Sequence, residues 1–292
     1  MEMTKIFIKK NSSHTTRIVY NKGVTYLEFP ALSDFDFLVH GFSTRLGGVS
    51  KGDLKAMNLS FSRGDDPKNV MENYVRIADA IGFPVENIVT VKQEHTNLVE
   101  RVGKKQMGRG IIQVPSEQGC DGMVTNEPGV ILATSHADCV PIYFVDPKKK
   151  AIGLCHSGWK GTVHLIGKET LNKMKEEFQS EMKDIIACIG PSICKDCYEV
   201  SEDVAVQFKY NFPVFYHKEI LKEKVDGKYQ LDLWRANEII LLESGILPEN
   251  IHTTDICTCC NNQVLFSHRG NQGKRGNMMA FLGLIPQIQS IN

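Results

Sequence analysis

The chain has 292 residues and a mass of 32.8 kDa, which fits one large domain or two of ordinary size. Hydrophobic residues make up 42% of the chain and charged residues 23%, which excludes disordered, collagen-like and coiled-coil proteins. The 34 basic residues balance the 34 acidic ones, and a net charge of zero argues against a protein that binds nucleic acid through its phosphate backbone.

Nine cysteines are the one unusual feature of the composition. Their number is odd, the chain is long enough to fold without disulfides, and its first ten residues lack the apolar centre of a signal peptide. We therefore expect a cytoplasmic protein whose thiols are metal ligands, nucleophiles or core residues. The most apolar stretch, residues 129–145, is too short to cross a bilayer and contains His136 and Asp138, so we expect no membrane association.

Strands and turns are predicted for the first sixty residues. Apolar and polar side chains alternate over residues 5–8, 17–20 and 25–29, and the glycine-containing turn 21–23 separates the last two. Residues 42–50 are too polar and glycine-rich for a helix or strand, and we expect a loop there.

The middle of the chain contains a well-marked helix followed by apolar runs. Asp66 is a favourable N-cap, Pro67 fits the first helical position, and Gly82 follows an apolar stripe, so a helix is predicted over residues 67–81. Buried strands are predicted over residues 88–91, 129–134, 140–145 and 151–155, with a turn at 146–147.

The last part of the chain predicts helices that alternate with a strand. Apolar spacing predicts a helix over residues 161–178 and a strand over 184–189, which together with the preceding strand form a βαβ-like unit. Further helices are predicted over residues 202–210 and 233–244. Because no repeat or long linker interrupts the pattern, we expect one mixed α/β domain over residues 1–292.

Two histidines and a cysteine lie at the predicted ends of strands, where α/β folds place their sites. They are His95, Cys139 and His156. Each alone is more often an ordinary buried residue, but two imidazoles and a thiolate together suit zinc with a fourth position open. The sequence contains neither the glycine-rich nucleotide motifs, the nucleophile elbow nor the zinc-deaminase signature.

The motifs around these residues resemble those of the YfiH/LACC1 family, whose members have been labelled polyphenol oxidases or laccase-domain proteins. The ordered matches are Gln93-x-His95, Ala137-Asp138-Cys139-x-Pro141, His156-x-Gly158-Trp159-Lys160-Gly161, Phe42-Ser43-Thr44-Arg45, Gly47-Gly48-Val49-Ser50, Asn58-Leu59, Gly64-Asp65-Asp66, Asp121-Gly122-x-Val124-Thr125, Ile189-Gly190-Pro191, Cys197-Tyr198-Glu199-Val200 and Cys257-Thr258-x-Cys260. The resemblance implies a single-domain, four-layer α/β/β/α sandwich with mixed sheets and a zinc ion on His95, Cys139 and His156, with copper as the alternative metal. It also implies phosphorolysis of adenosine, inosine and methylthioadenosine to the free base and ribose 1-phosphate, together with adenosine deamination.

Phosphorolysis requires a cation that positions phosphate against the ribose C1′ atom. Arg45 and Lys160 are the candidates for this role, with solvated surface charges as the alternative interpretation. Asp121 is a candidate contact for the purine or ribose, although Asp-Gly is also a turn signal. The expected partners are a nucleoside and phosphate, and the oligomeric state stays open.

Three other functional interpretations of the same residues stay open. A copper oxidase needs several coppers and many imidazoles, and the nine dispersed histidines disfavour it. A hydrolase with Cys139 as nucleophile and His156 as base would use two of the same residues, and an interaction module would use the zinc structurally. The spacing of Cys194, Cys197, Cys257, Cys259 and Cys260 fits a second metal site, but the family resemblance favours ordinary structural cysteines.

Overall fold

The computed structural model describes residues 6–286, which form two six-stranded sheets, one small sheet and seven α-helices. The strands are β1 (Arg17–Asn21), β2 (Val24–Glu28), β3 (Leu38–Ser43), β4 (Ile88–Val89), β5 (Val99–Arg101), β6 (Gly122–Thr125), β7 (Ile131–His136), β8 (Val140–Asp146), β9 (Ala151–Ser157), β10 (Ile186–Ile189), β11 (Glu199–Val200), β12 (Leu221–Glu223), β13 (Tyr229–Leu231), β14 (Ile251–Thr253) and β15 (Met278–Leu284). The helices are α1 (Pro30–Ser33), α2 (Pro67–Ile81), α3 (Trp159–Val163), α4 (Ile166–Phe178), α5 (Glu202–Asn211), α6 (His217–Ile220) and α7 (Leu233–Glu243).

The two large sheets contain both parallel and antiparallel strand pairs. The first sheet has the order β1-β2-β3-β15-β7-β4, and the second has the order β14-β10-β8-β9-β6-β5. In the second sheet β9 and β10 each pair antiparallel with β8, so they run parallel to each other. Because α3 and α4 connect them, the predicted βαβ-like unit is confirmed, with β8 inserted between its two strands.

Three apolar clusters define the order of the layers. The cluster between the sheets joins residues such as Leu132 and Leu282 of the first sheet to Val145 of the second. The outer face of the first sheet packs against α2, and the outer face of the second packs against α4 and α7. This arrangement confirms the predicted mixed α/β class and the α/β/β/α sandwich. None of the helices within residues 6–286 combines the length and apolar character needed to cross a membrane.

Local chemistry explains the elements that the sequence predicts well. The Asp66 carboxylate accepts a hydrogen bond from the backbone N–H of Lys68 at 2.9 Å, and Gly82, with φ of 105°, ends α2. In the β8–β9 turn, the Asp146 carboxylate accepts hydrogen bonds from the N–H groups of Lys148 and Lys149, both at 3.0 Å.

Three predictions near element boundaries are wrong. Residues 6–8 form no strand, because the Ile8 N–H donates to a side-chain oxygen of Asn261; residue 5 lies outside the described residues. The predicted loop 42–50 begins inside β3. The predicted helix 161–178 is two helices, because Leu165 adopts the left-handed conformation with φ of 60° between α3 and α4.

The sequence pattern did not identify β15 as a strand, although it lies in the middle of the first sheet between β3 and β7. All seven of its residues are buried, so the apolar run over Met278–Leu284 was the available signal. A strand from the end of the described chain therefore completes a sheet that begins with β1, and the first sheet depends on contacts distant in sequence.

We expect Leu282→Ala to lower the free energy of unfolding by about 2–5 kcal/mol, because Leu282 is fully buried between the two sheets. Leu247→Ala is the matched control, since Leu247 is 39% exposed and its truncation should change stability by about 0.5 kcal/mol or less. Urea denaturation measures both. Equal effects of the two substitutions would contradict the inter-sheet position of β15.

Candidate active site

The structure brings His95, Cys139 and His156 together at the junction of the two large sheets. His95 lies in the loop after β4, Cys139 lies between β7 and β8, and His156 lies near the end of β9. Their possible ligand atoms all lie within 4.8 Å of one another. The two imidazole rings have centroids 4.9 Å apart and meet edge to face.

One buried carboxylate, that of Asp121, holds both histidines of this group. Its Oδ2 accepts hydrogen bonds from the backbone N–H groups of Glu94 at 3.1 Å and Thr96 at 2.7 Å, which flank His95. Its Oδ1 lies 2.8 Å from Nδ1 of His156. Because Nδ1 donates to this carboxylate, Nε2 is the nitrogen that faces Cys139.

Cys139 and His156 form a thiolate–imidazolium pair. Burial alone would raise the pKa of Cys139, but the charge of His156 and hydrogen bonds from His156 and His95 lower it to about 6. Burial would likewise lower the pKa of His156, and the charge of Cys139 and the hydrogen bond to Asp121 raise it to about 9. Cys139 is therefore ionised at neutral pH, as a metal ligand or a nucleophile must be.

Gly158 keeps open the space beside this group. A Cβ atom built on Gly158 would lie 3.0 Å from Sγ of Cys139 and 3.0 Å from Cδ2 of His95. Real Cβ atoms rarely approach this closely, so any larger residue would displace a side chain of the group. Glycine at this position is thus a steric requirement of the arrangement.

The three residues line a cavity of about 460 Å³. Phe61 and Tyr74 form one part of its wall, with their rings stacked at a centroid distance of 5.9 Å. Arg275 is a cation in the wall, and its buried Nε atom has no hydrogen-bond partner among the described residues. The wall therefore offers an aromatic surface and a cation in addition to the imidazoles and the thiolate.

None of the three predicted substrate contacts lines this cavity within the described part of the chain. Arg45 donates to the carbonyl groups of Lys55 at 2.7 Å and Asn262 at 2.8 Å, so its guanidinium ties two loops together. Lys160 is exposed on α3 beside the ring of Trp159. Asp121 is fully buried behind His156, so its role is to position that histidine, and direct contact with a substrate is a wrong expectation.

Residues adjacent to the ligand motifs have structural partners. Asp138 accepts hydrogen bonds from the Thr258 hydroxyl and the Arg269 N–H, both at 2.7 Å, and therefore fastens two loops beside Cys139. Trp159 is half-buried and packs against the apolar cluster outside the second sheet.

His136 is buried, with its ring nitrogens 2.8 Å from the Thr134 hydroxyl and 3.1 Å from the Cys139 carbonyl oxygen. Both nitrogens are thus occupied, which agrees with the expectation that His136 is not a metal ligand.

Sequence reasoning missed Phe61, Lys92 and Arg275 as cavity residues. Lys92 directly precedes the Gln93-x-His95 motif, so its position was the available signal. Arg275 lies between Gly273 and Gly276 in the loop before β15. Because the sequence pattern did not identify β15 as a strand, it could not place the loop before β15 at the site.

The fold and the site together define a four-layer sandwich with a candidate metal centre of two imidazoles and one thiolate. A family model described as multi-copper polyphenol oxidoreductase laccase matches residues 39–285. The chain belongs to this laccase-like family, which confirms the family resemblance drawn from the motifs.

Relatives within the family cover most of this chain. It is 37% identical over 248 residues to the protein named purine nucleoside phosphorylase YlmD of Bacillus subtilis, covering 85% of this chain and 88% of that protein. The crystal structure of YlmD from Geobacillus stearothermophilus matches with a TM-score of 0.83 and 33% identity, covering 96% of this chain and all of that one. The structure of YfiH from Bacillus licheniformis matches with a TM-score of 0.85 and 29% identity, covering 91% of this chain and 98% of that one.

We expect Cys139 of chelator-treated protein to react with iodoacetamide with a midpoint near pH 6, because His156 stabilises the thiolate. Peptide mass spectrometry after timed labelling measures this for each cysteine. Cys259 is the internal control, since burial raises the pKa of its thiol and it should react only at higher pH. His156→Ala should move the Cys139 midpoint upward, and a wild-type midpoint near pH 9 would contradict the ion pair.

Proposed function

We propose that this chain is a zinc-dependent purine nucleoside phosphorylase that also deaminates adenosine. The observation that carries the proposal is the convergence of His95, Cys139 and His156 within 4.8 Å on the wall of a cavity of about 460 Å³, a size typical of small-molecule sites. The relatives named purine nucleoside phosphorylase support the substrate class. We also propose that the chain is one domain, since a single apolar cluster joins its two large sheets.

The donor set fits zinc. Two imidazole nitrogens and one thiolate are borderline-soft ligands, and Gly158 leaves room beside them. When bound by three protein ligands, zinc supplies a Lewis acid with a position open to an oxygen atom. Of the two possible metal-binding groups among residues 6–286, only this one contains histidine, whereas a multi-copper cluster needs many imidazoles.

We assign the phosphate to Arg275 and the purine to Phe61. Arg275 is a cation in the cavity wall, and its planar guanidinium suits two-point contact with an oxyanion. Phe61 is 38% exposed and offers a ring face to a base. In phosphorolysis a phosphate oxygen bonds to C1′ as the bond from C1′ to the base breaks, giving free base and ribose 1-phosphate.

Asp121 acts through the histidines in this assignment. By accepting a hydrogen bond from Nδ1 of His156, it leaves Nε2 of that ring to face the metal position, and by accepting hydrogen bonds from the amides beside His95, it holds the backbone of that residue in place. In deamination, water adds at the purine C6 atom and ammonia leaves, and the same preorganised group supports both reactions.

A cysteine hydrolase is the second candidate, favoured by the ionised thiol of Cys139 beside His156. Metal analysis separates the two. If the protein is a phosphorylase, it should be purified with zinc that His95→Ala lacks, and it should lose activity to a chelator. Protein with the same zinc content as His95→Ala that is active until Cys139 is alkylated would be a hydrolase.

We expect His95→Ala and Cys139→Ala to abolish formation of adenine, inosine and ribose 1-phosphate from adenosine, because each removes one of three ligands. Chromatography of reactions with and without phosphate measures all three products. His164→Ala is the matched control, since His164 is exposed at the C-terminal end of α3, does not line the cavity and should retain full turnover. Unchanged turnover in the first two variants would overturn the site assignment.

We expect Arg275→Gln to raise KM for phosphate by about 10-fold or more, because a charge-assisted contact is worth about 1.5–3 kcal/mol. KM for adenosine should change less. Lys160→Ala, which removes an exposed cation outside the cavity, is the control and should leave both constants unchanged. A phosphate KM that rises in Lys160→Ala and not in Arg275→Gln would reverse the assignment.

A further inference from the structure

Four of the remaining cysteines form a second group, which we call the cysteine cluster. Its members, whose sulfur atoms all lie within 4.8 Å of one another, are Cys194, Cys197, Cys257 and Cys260. The first pair flanks the short turn after β10, and the second pair lies in the turn that follows β14. The cluster thus brings two Cys-x-x-Cys segments together from 63 residues apart.

The spacing of the sulfur atoms suits one tetrahedral ion. A zinc–sulfur distance of about 2.3 Å places the sulfur atoms of a tetrahedral site about 3.8 Å apart. Sγ of Cys197 lies 3.5 Å from Sγ of Cys260, and every other pair in the cluster lies within the 4.8 Å limit. Packing in an apolar core does not require four sulfur atoms to lie this close together, whereas binding of one ion does.

Backbone amides also point at the cluster. The N–H of Cys194 donates to Sγ of Cys257 at 3.2 Å, and the N–H of Cys260 donates to the same atom at 3.4 Å. Such donors stabilise negative charge on sulfur, which a tetrathiolate site must hold. Two members are buried and two are half-buried, so the site is shielded yet near the surface.

We propose that the cysteine cluster binds a second zinc ion in a closed site made of four thiolates. All four positions are filled by the chain, so this ion is structural and has no position for a substrate. Four sulfur ligands in tetrahedral geometry are characteristic of zinc or iron–sulfur sites, and a group that holds four sulfur atoms around one centre fits a single ion.

The ion would hold in place the loops that support Cys139. Thr258, inside the second Cys-x-x-Cys segment, donates to the carboxylate of Asp138 at 2.7 Å, and the N–H of Ile193 donates to the Asp138 carbonyl oxygen at 3.0 Å. Asp138 directly precedes Cys139. Both loops of the cluster therefore contact the residue beside the first group.

Metal content of proteins purified without added metal tests this proposal. We expect about two equivalents of zinc per chain in wild type, and about one in either His95→Ala/Cys139→Ser or Cys260→Ser. Cys259→Ser is the matched control, because Cys259 is adjacent in sequence but outside the cluster, and it should retain both equivalents. Equal zinc content in wild type and Cys260→Ser, or no zinc in His95→Ala/Cys139→Ser, would overturn the proposal.

X-ray absorption of the His95→Ala/Cys139→Ser variant identifies the ligands of the remaining zinc ion, and it tests the proposal even if Cys260→Ser fails to fold. The proposal predicts a zinc ion surrounded by sulfur alone at about 2.3 Å. Nitrogen or oxygen ligands on that ion would contradict it. So would a metal-free variant in which mass spectrometry finds the four cysteines as free thiols or disulfides.

Discussion

The buried carboxylate of Asp121 is the contact on which the site depends. It accepts hydrogen bonds from the backbone amides on either side of His95 and from Nδ1 of His156, so one side chain holds the His95 loop and the His156 ring, which come from different parts of the chain. Burial would by itself raise the pKa of Asp121, but hydrogen bonds from His156 and Thr96 lower it and keep the carboxylate charged. That charge in turn stabilises the imidazolium that ionises Cys139.

The two-sheet architecture explains why the site lies where it does. β4 and β7 belong to the first sheet, and β8 and β9 belong to the second, so the chain crosses from one sheet to the other beside Cys139. Strand ends from both sheets meet at this crossing, which places a thiolate and two imidazoles around one point. The cavity forms where β15 and its preceding loop cover the crossing, and that loop supplies Arg275.

The sequence singled out His95, Cys139 and His156, which the structure brings together, because each follows or ends a strong apolar strand and lies in a motif typical of the family. The substrate contacts could not be predicted in the same way. Arg45 and Lys160 are the basic residues nearest to recognisable motifs, but the Arg45 side chain binds a loop and Lys160 is exposed. Arg275 lines the cavity because it lies in the loop before β15, which is distant in sequence from the motifs. The break at Leu165, where the backbone adopts the left-handed conformation, left no trace in the apolar periodicity.

In the proposed function, His95, Cys139 and His156 hold a zinc ion with one position left open. A crystal structure with diffraction data collected on both sides of the zinc absorption edge tests it most directly. We expect an anomalous peak within bonding distance of the two imidazoles and the thiolate, with a single non-protein ligand completing a tetrahedron. A peak with four protein ligands, or zinc-containing crystals without a peak between these three side chains, would contradict it.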